Sequence, residues 1–213
     1  TLHFNGRDLE ESQTYRFTLE TEEGELWSLD DQEGKTVVLL FMFTRCTDTC
    51  PPISSNINWV KGELSASELE EVSFVSITLD WRHDSPSALK NWSDDMNYDW
   101  PHLTGSKDAL QIVWDAYGVQ PIEQEDDSEE GYEVIHQQPT YIIDSNLLIG
   151  YVWADTLRAT ASAVVNSLDE LTGNKICKKI ANLYWNNRHE LKFDMKAGKI
   201  SEIINNLPND FLI

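Results

Sequence analysis

Two cysteines four residues apart, Cys46 and Cys50, are the side chains in this sequence best placed to do chemistry. They lie in FMFTRCTDTCPP, between an apolar run (TVVLLFMF, residues 36–43) and Pro51-Pro52, a pair suited to the first turn of a helix. In open α/β sheets the crevice beyond the strand ends is the usual seat of chemistry. The free N–H groups and dipole of a helix start favour negative charge, and so the thiolate, which attacks disulfides and binds soft metals. Positions i and i+4 on a helix place Cβ atoms about 5–6 Å apart, whereas a disulfide wants about 3.8 Å. The loop must bend to oxidise, while a metal between two sulfurs tolerates the wider gap. Soft thiolates select Cu(I) among the common ions. By itself the motif is either a redox pair or half of a metal site. Two idle buried thiols fit poorly with the adjacent proline and the strand-to-helix setting. The third cysteine, Cys177, stands apart among Lys175, Lys178 and Lys179. Basic neighbours would favour its thiolate, but we read it as a small core residue. Three cysteines in 213 residues are no disulfide scaffold.

The elements that must carry the loop follow from periodicity. Residues 14–20 and 25–29 alternate around a Glu-Gly turn and predict an opening hairpin. Residues 36–43 are apolar throughout, as in a central strand covered on both faces. Ile53, Ile57, Val60 and Leu64 recur at helical spacing, and residues 72–79 read as a second buried strand. Ser85-Pro86 opens a helix to about Met96; Ser106 caps another through Tyr117, stopped by Gly118. Residues 123–133 are strongly acidic without apolar period, which predicts a solvated loop. Residues 140–144 and 147–153 flank Ser145-Asn146, a hairpin signal, and 156–171 carry a helical apolar face ended by Gly173. This order predicts an α/β, thioredoxin-like fold: a central mixed sheet flanked by helices, with an N-terminal β-hairpin. The predicted domain is 1–173. Residues 174–213 are expected to form a helical C-terminal extension packed on it.

Charge bounds the partners. Sixteen basic against 37 acidic residues give a net charge of −21. Nucleic acid is a poor partner, since binding it needs Lys and Arg to neutralise phosphates. Solubility is the plain reading of such a surface; attraction of cations or of a basic partner is the sharper one. No apolar stretch approaches the roughly 18 residues of a membrane span, and no signal peptide is visible. The chain opens on Thr1, consistent with removal of an N-terminal segment.

Three separated motifs resemble the Sco/SenC family of copper-binding proteins, in order over residues 15–171. Phe43-Thr44-x-Cys46-x-Asp48-x-Cys50-Pro51 is similar to its cysteine signature, with Thr47 where a proline is usual. Ser76-x-Thr78-x-Asp80-x-x-x-Asp84-Ser85-Pro86 is similar to a second segment, with Trp81 replacing a proline, the arginine one place early at Arg82, and His83 in its slot. HQQPTYIID, residues 136–144, is similar to the family's His-x-x-x-x-Tyr-Leu-Ile-Asp strand. The resemblance implies a copper site in which Cys46 and Cys50 hold Cu(I) and His136 joins them for Cu(II). It implies a metallochaperone, charged by a copper-donor protein. It would load the dinuclear copper centre of the cytochrome c oxidase copper subunit by ligand exchange. The expected location is extracytoplasmic: the periplasm or the outer face of the cell membrane, or the mitochondrial intermembrane space in a eukaryote. The family usually carries a membrane anchor, which would precede Thr1. Asp80 corresponds to an acid beside the metal and is expected to tune it without binding it. His3, His83, His102 and His189 lack the motif context, though His83 is close in sequence to Asp80.

Pro139 keeps a second function in play. Gln138-Pro139-Thr140 has the thioredoxin form, with an expected cis peptide, and in thioredoxins that proline lies against the active-site sulfurs. A thiol–disulfide oxidoreductase with Cys46 and Cys50 as catalytic residues, acting on the same target cysteines, is the alternative. A peroxidase fits less well. Thr47 precedes Cys50 as peroxiredoxins require, but Phe43 sits where their proline should be.

Overall fold

The computed structural model describes residues 7–47, 50–126, 131–136, 139–143 and 145–153. Its strands in chain order are β1 (Arg7–Gln13), β2 (Thr18–Thr21), β3 (Leu26–Ser28), β4 (Thr36–Met42), β5 (Val72–Thr78), β6 (His102–Thr104), β7 (Ile122–Glu125), β8 (Tyr132–Ile135), β9 (Thr140–Ile143) and β10 (Leu148–Trp153). The helices are α1 (Cys50–Gly62), α2 (Ala66–Leu69), α3 (Pro86–Met96) and α4 (Lys107–Ala116). An eight-stranded mixed sheet runs β1-β10-β9-β4-β5-β6-β2-β3, and β7 with β8 forms a separate pair.

All seven residues of β4 are buried, because its alternate side chains feed two cores. Val37, Leu39 and Phe41 pack with Leu110, Val113 and Trp114 of α4. Val38 and Leu40 pack on the other face with Ile57 and Val60 of α1. Strand β5 runs parallel to β4 in unbroken register, from Thr36 opposite Val72 to Met42 opposite Thr78. Strand β9 runs antiparallel on the other side. Both cysteines thus follow the most enclosed strand of the sheet, and His136 precedes its neighbour. The layered α/β, thioredoxin-like architecture is the one expected from the sequence.

Ser85 caps α3 by accepting from the Ala88 N–H at 3.3 Å, and α3 ends at Met96 as the pattern predicts. Gly118 after α4 has φ +66°, the left-handed backbone that glycine adopts most readily. The opening hairpin is shorter than predicted, β2 with β3, and Thr14 instead donates to the Leu147 carbonyl.

Three elements depart from expectation. The predicted solvated loop at 123–133 is largely the β7–β8 hairpin, paired from Ile122 opposite Ile135 to Glu125 opposite Tyr132. Its acids masked a two-residue alternation in β8, where Tyr132 and Val134 point inward and Glu133 and Ile135 outward. Strand β6 was not expected; it completes the sheet between β5 and β2. Polar β1 was not expected either, and pairs with β10 at the edge. No helix among the described residues is long and apolar enough to cross a membrane. The predicted 156–171 helix, the 174–213 extension, Cys177, His3, His189, Asp48, Asp144 and the Gln138–Pro139 peptide lie outside the described residues.

Candidate metal centre

The cysteine loop leaves β4 through Phe43 and is pinned at once. The Thr44 N–H donates to Asp84 Oδ2 at 3.1 Å, and the Thr44 hydroxyl donates to Asp84 Oδ1. The Thr78 hydroxyl reaches the same carboxylate at 2.6 Å. Asp84 is fully buried, and that burial raises its pKa although all three bonds favour the ionised form. It ties the end of β4 to the end of β5.

Helix α1 starts at Cys50. Pro51 and Pro52 occupy its first turn, where a missing N–H costs nothing. The remaining Cys50 N–H donates to Cys46 Sγ at 3.3 Å. The helix start therefore directs its partial positive charge at the Cys46 sulfur and favours the thiolate there. The two sulfurs differ in access: Cys50 is 1% exposed, whereas Cys46 is half-buried. Cys46 lines a cleft of about 480 Å³ with Phe43, Arg45, Asp126, Tyr132 and His136 among its walls. Neither thiol is engaged in a disulfide.

His136 arrives from β8. Its Nδ1–H donates to the Val134 carbonyl at 3.1 Å, which leaves the lone pair of the neutral ring on Nε2. The ring packs edge-on to Phe43, centroids 4.9 Å apart at 87°. The donor atoms of Cys46, Cys50 and His136 all lie within 4.8 Å of one another, and among the described residues no other His, Cys, Asp or Glu group converges so. That is the scale of one shared ion, since a first-row ion such as zinc binds sulfur and imidazole nitrogen at about 2.0–2.3 Å. Two thiolates and one imidazole suit copper.

Asp80 is buried and bonded to two residues of the cleft wall, Arg45 and Tyr132. Its Oδ1 accepts from the Tyr132 hydroxyl at 2.7 Å and the His83 N–H at 3.3 Å. Its Oδ2 accepts from Arg45 Nε at 3.1 Å and Nη2 at 2.7 Å. The guanidinium groups of Arg45 and Arg82 stack over the Tyr132 ring, 4.4 and 4.0 Å from its centroid. Burial, with the bond to Asp80, pushes the Tyr132 phenol up to about 12. Sequence reasoning placed Asp80 here but missed Arg45 and Tyr132. The alternation of Tyr132 and Val134 after Gly131 was the signal available for the latter. His83 meets Asp80 through its backbone N–H. Pro139 is buried at the entry to β9 and is not among the residues lining the cleft.

Residues 6–173 match the SCO1/SenC family. The chain belongs to that family. A SCO2-like protein of Rickettsia prowazekii is 28% identical over 131 residues, which are 61% of this chain and 63% of the relative; the match thus spans a little under two thirds of that relative's length. Apo Sco1 from Thermus thermophilus superposes with a TM-score of 0.65 at 21% identity, covering 86% of this chain and 96% of that one. Bradyrhizobium japonicum ScoI with copper bound gives 0.57 at 20% identity, covering 71% and 96%. BsSco, described with a disulfide switch as a member of the Sco family of cytochrome c oxidase assembly proteins, gives 0.57 at 20% identity, covering 84% and 96%. These structural likenesses establish the fold.

Proposed function

We propose that this SCO1/SenC chain is a copper metallochaperone. Cys46 and Cys50 hold Cu(I), and His136 joins them to hold Cu(II). The observation that carries this reading is the convergence of three soft or borderline donors within 4.8 Å, in a family with a member solved with copper bound. A disulfide exchanger has no need of the imidazole. The copper is cargo: it enters from a copper-donor protein and leaves by ligand exchange onto the cysteines of the cytochrome c oxidase copper subunit. Cys46, the sulfur that lines the cleft, is where an incoming thiolate can displace a ligand. Asp126 and Glu133 share that cleft and favour the approach of a cation. The same reading places the protein outside the cytoplasm, where that copper centre is assembled.

The unequal access of the two sulfurs favours a second reading, thiol–disulfide exchange. Cys46 thiolate attacks a sulfur of the target disulfide, whose other sulfur departs as thiolate and takes a proton from solvent. Cys50 thiolate then attacks Cys46 Sγ and breaks the mixed disulfide. The target gains two electrons as a dithiol, and Cys46–Cys50 is left oxidised until a dithiol reductant restores it.

Anaerobic copper loading of the reduced protein, then mild oxidation, separates the two, with His136→Ala alongside. One copper per chain and a thiolate-to-Cu(II) charge-transfer band that the variant loses is the expected result. No retained copper, with fast turnover of a disulfide substrate, would overturn the chaperone reading. His136→Ala should leave disulfide exchange intact.

A further inference from the structure

His136 depends on a hairpin that no other strand supports: β7 and β8 pair only with each other among the described residues. A two-stranded ribbon is marginal in water by itself. Every residue of β7 is exposed, so it brings little burial. The inward residues of β8 attach the ribbon, and of these Tyr132 makes the polar links. Tyr132 is 4% exposed, and its ring lies under Arg45, which comes from the cysteine loop, and Arg82, which comes from the turn after β5. Its hydroxyl donates to Asp80 at 2.7 Å, and its carbonyl accepts from Arg45 Nη1 at 3.3 Å. One residue thus joins three segments: the loop of Cys46, the end of β5 and the strand that leads to His136. Between Tyr132 and His136 stands Val134, which is buried in the core and whose carbonyl orients the imidazole. A displacement of Tyr132 is carried through that short strand to the ring.

We propose that Tyr132 is the positioning residue that holds His136 against the cysteine loop, and so sets how long the imidazole stays on a bound metal. The consequence for metal rests on the copper reading above; the hold on the hairpin does not. Partners that orient a ligand commonly matter about 10–100-fold in metal affinity.

The test compares wild type with Tyr132→Leu, which keeps apolar bulk but loses the ring and hydroxyl, and Tyr132→Phe, which loses the hydroxyl alone. In the copper-free protein, Tyr132→Leu should lose the NMR contacts between the Phe43 and His136 rings. It should also speed hydrogen exchange at amides 132–135 while β4 and β5 amides keep their protection. In the loaded protein it should still take one Cu(I) per chain and release Cu(II) to a chelator about tenfold faster or more. Tyr132→Phe should fall between the two. Wild-type ring contacts, hairpin exchange and Cu(II) release in Tyr132→Leu would overturn the proposal. If wild type itself retains no copper, that failure belongs to the copper reading, and the copper-free measurements decide the role of Tyr132. If Tyr132→Leu loses β4 protection, Arg82→Gln is read instead. It should speed hairpin exchange in the same direction, and no change there overturns the proposal.

Discussion

The cysteines and His136 reach one site from two differently built regions. The cysteine loop is fastened at both ends: β4 is buried along its whole length, Thr44 is bound twice to buried Asp84, and Cys50 starts a thirteen-residue helix packed on the sheet. The His136 hairpin has one strand with no buried residue and another with two, Tyr132 and Val134. Among its further ties are contacts to Arg45, Asp80, Trp81 and Arg82. On the metallochaperone reading proposed above, the difference has a use: the two sulfurs on the more deeply buried side would keep the metal while the imidazole on the hairpin leaves as the metal is handed on. Local stability in proteins varies in this way, with binding segments drawn from its low end.

The sharpest way to break this contrast is to cut the junction between the regions. Arg45→Met leaves Asp80, 1% exposed, as a buried carboxylate without its cation. Loss of one partner from a buried pair costs about 3–5 kcal/mol, and because Arg45 is itself partly exposed the lower end is expected. Urea unfolding measures it. A loss under about 1 kcal/mol would mean that water reaches Asp80 and that the junction is part of the loosely held region.

Acid tests the more deeply buried side. His102 lies in β6 between Trp92 and Trp100, and burial lowers it from 6.5 to about 4. Between those values the unfolded chain binds the proton and the folded chain does not. The contribution of His102 is therefore complete above pH 6.5 and is lost as pH falls toward 4. At about 1.4 kcal/mol per unit that is roughly 3 kcal/mol. Asp84, raised by burial, acts in the opposite sense. Urea midpoints from pH 7 to 4.5 should fall in wild type and fall less in His102→Phe. Equal slopes would remove His102 as the cause.

The smallest effect is expected on the outer face of the hairpin. Glu123 accepts from Trp81 Nε1 at 2.8 Å and from Arg82 at 3.2 Å, with both ion-pair partners substantially exposed. Glu123→Gln should cost less than about 1 kcal/mol. A larger drop in the thermal midpoint would place a main attachment of the hairpin on β7 and not on Tyr132.

Much of the scaffold was legible because local chemistry specifies it. Ser85-Pro86 marked the start of α3, the unbroken apolar run marked β4, and Ser145-Asn146 marked the β9–β10 turn. The elements that escaped are short or polar and owe their existence to neighbours. Strand β6 is three residues after Trp100-Pro101, with no room for a period. Strand β1 reads RDLEESQ and becomes a strand by pairing with β10. Strand β7 is exposed throughout and is a strand only because β8 lies beside it. Backbone hydrogen bonds to a distant segment leave no mark in local hydrophobic pattern.

The same division holds at the site. The sequence by itself determined the donor types, the four-residue spacing of Cys46 and Cys50, and their place where an apolar strand meets a proline-led helix, because these are properties of contiguous residues. Its family motifs pointed to His136 and Asp80. Only the tertiary structure decided that the three donor atoms converge within 4.8 Å, that Cys46 and not Cys50 lines the cleft, and that both oxygens of Asp80 are taken by Arg45, Tyr132 and His83. Those outcomes depend on which groups far apart in the chain compete for the same buried partner, and that competition begins only once the sheet has brought them together.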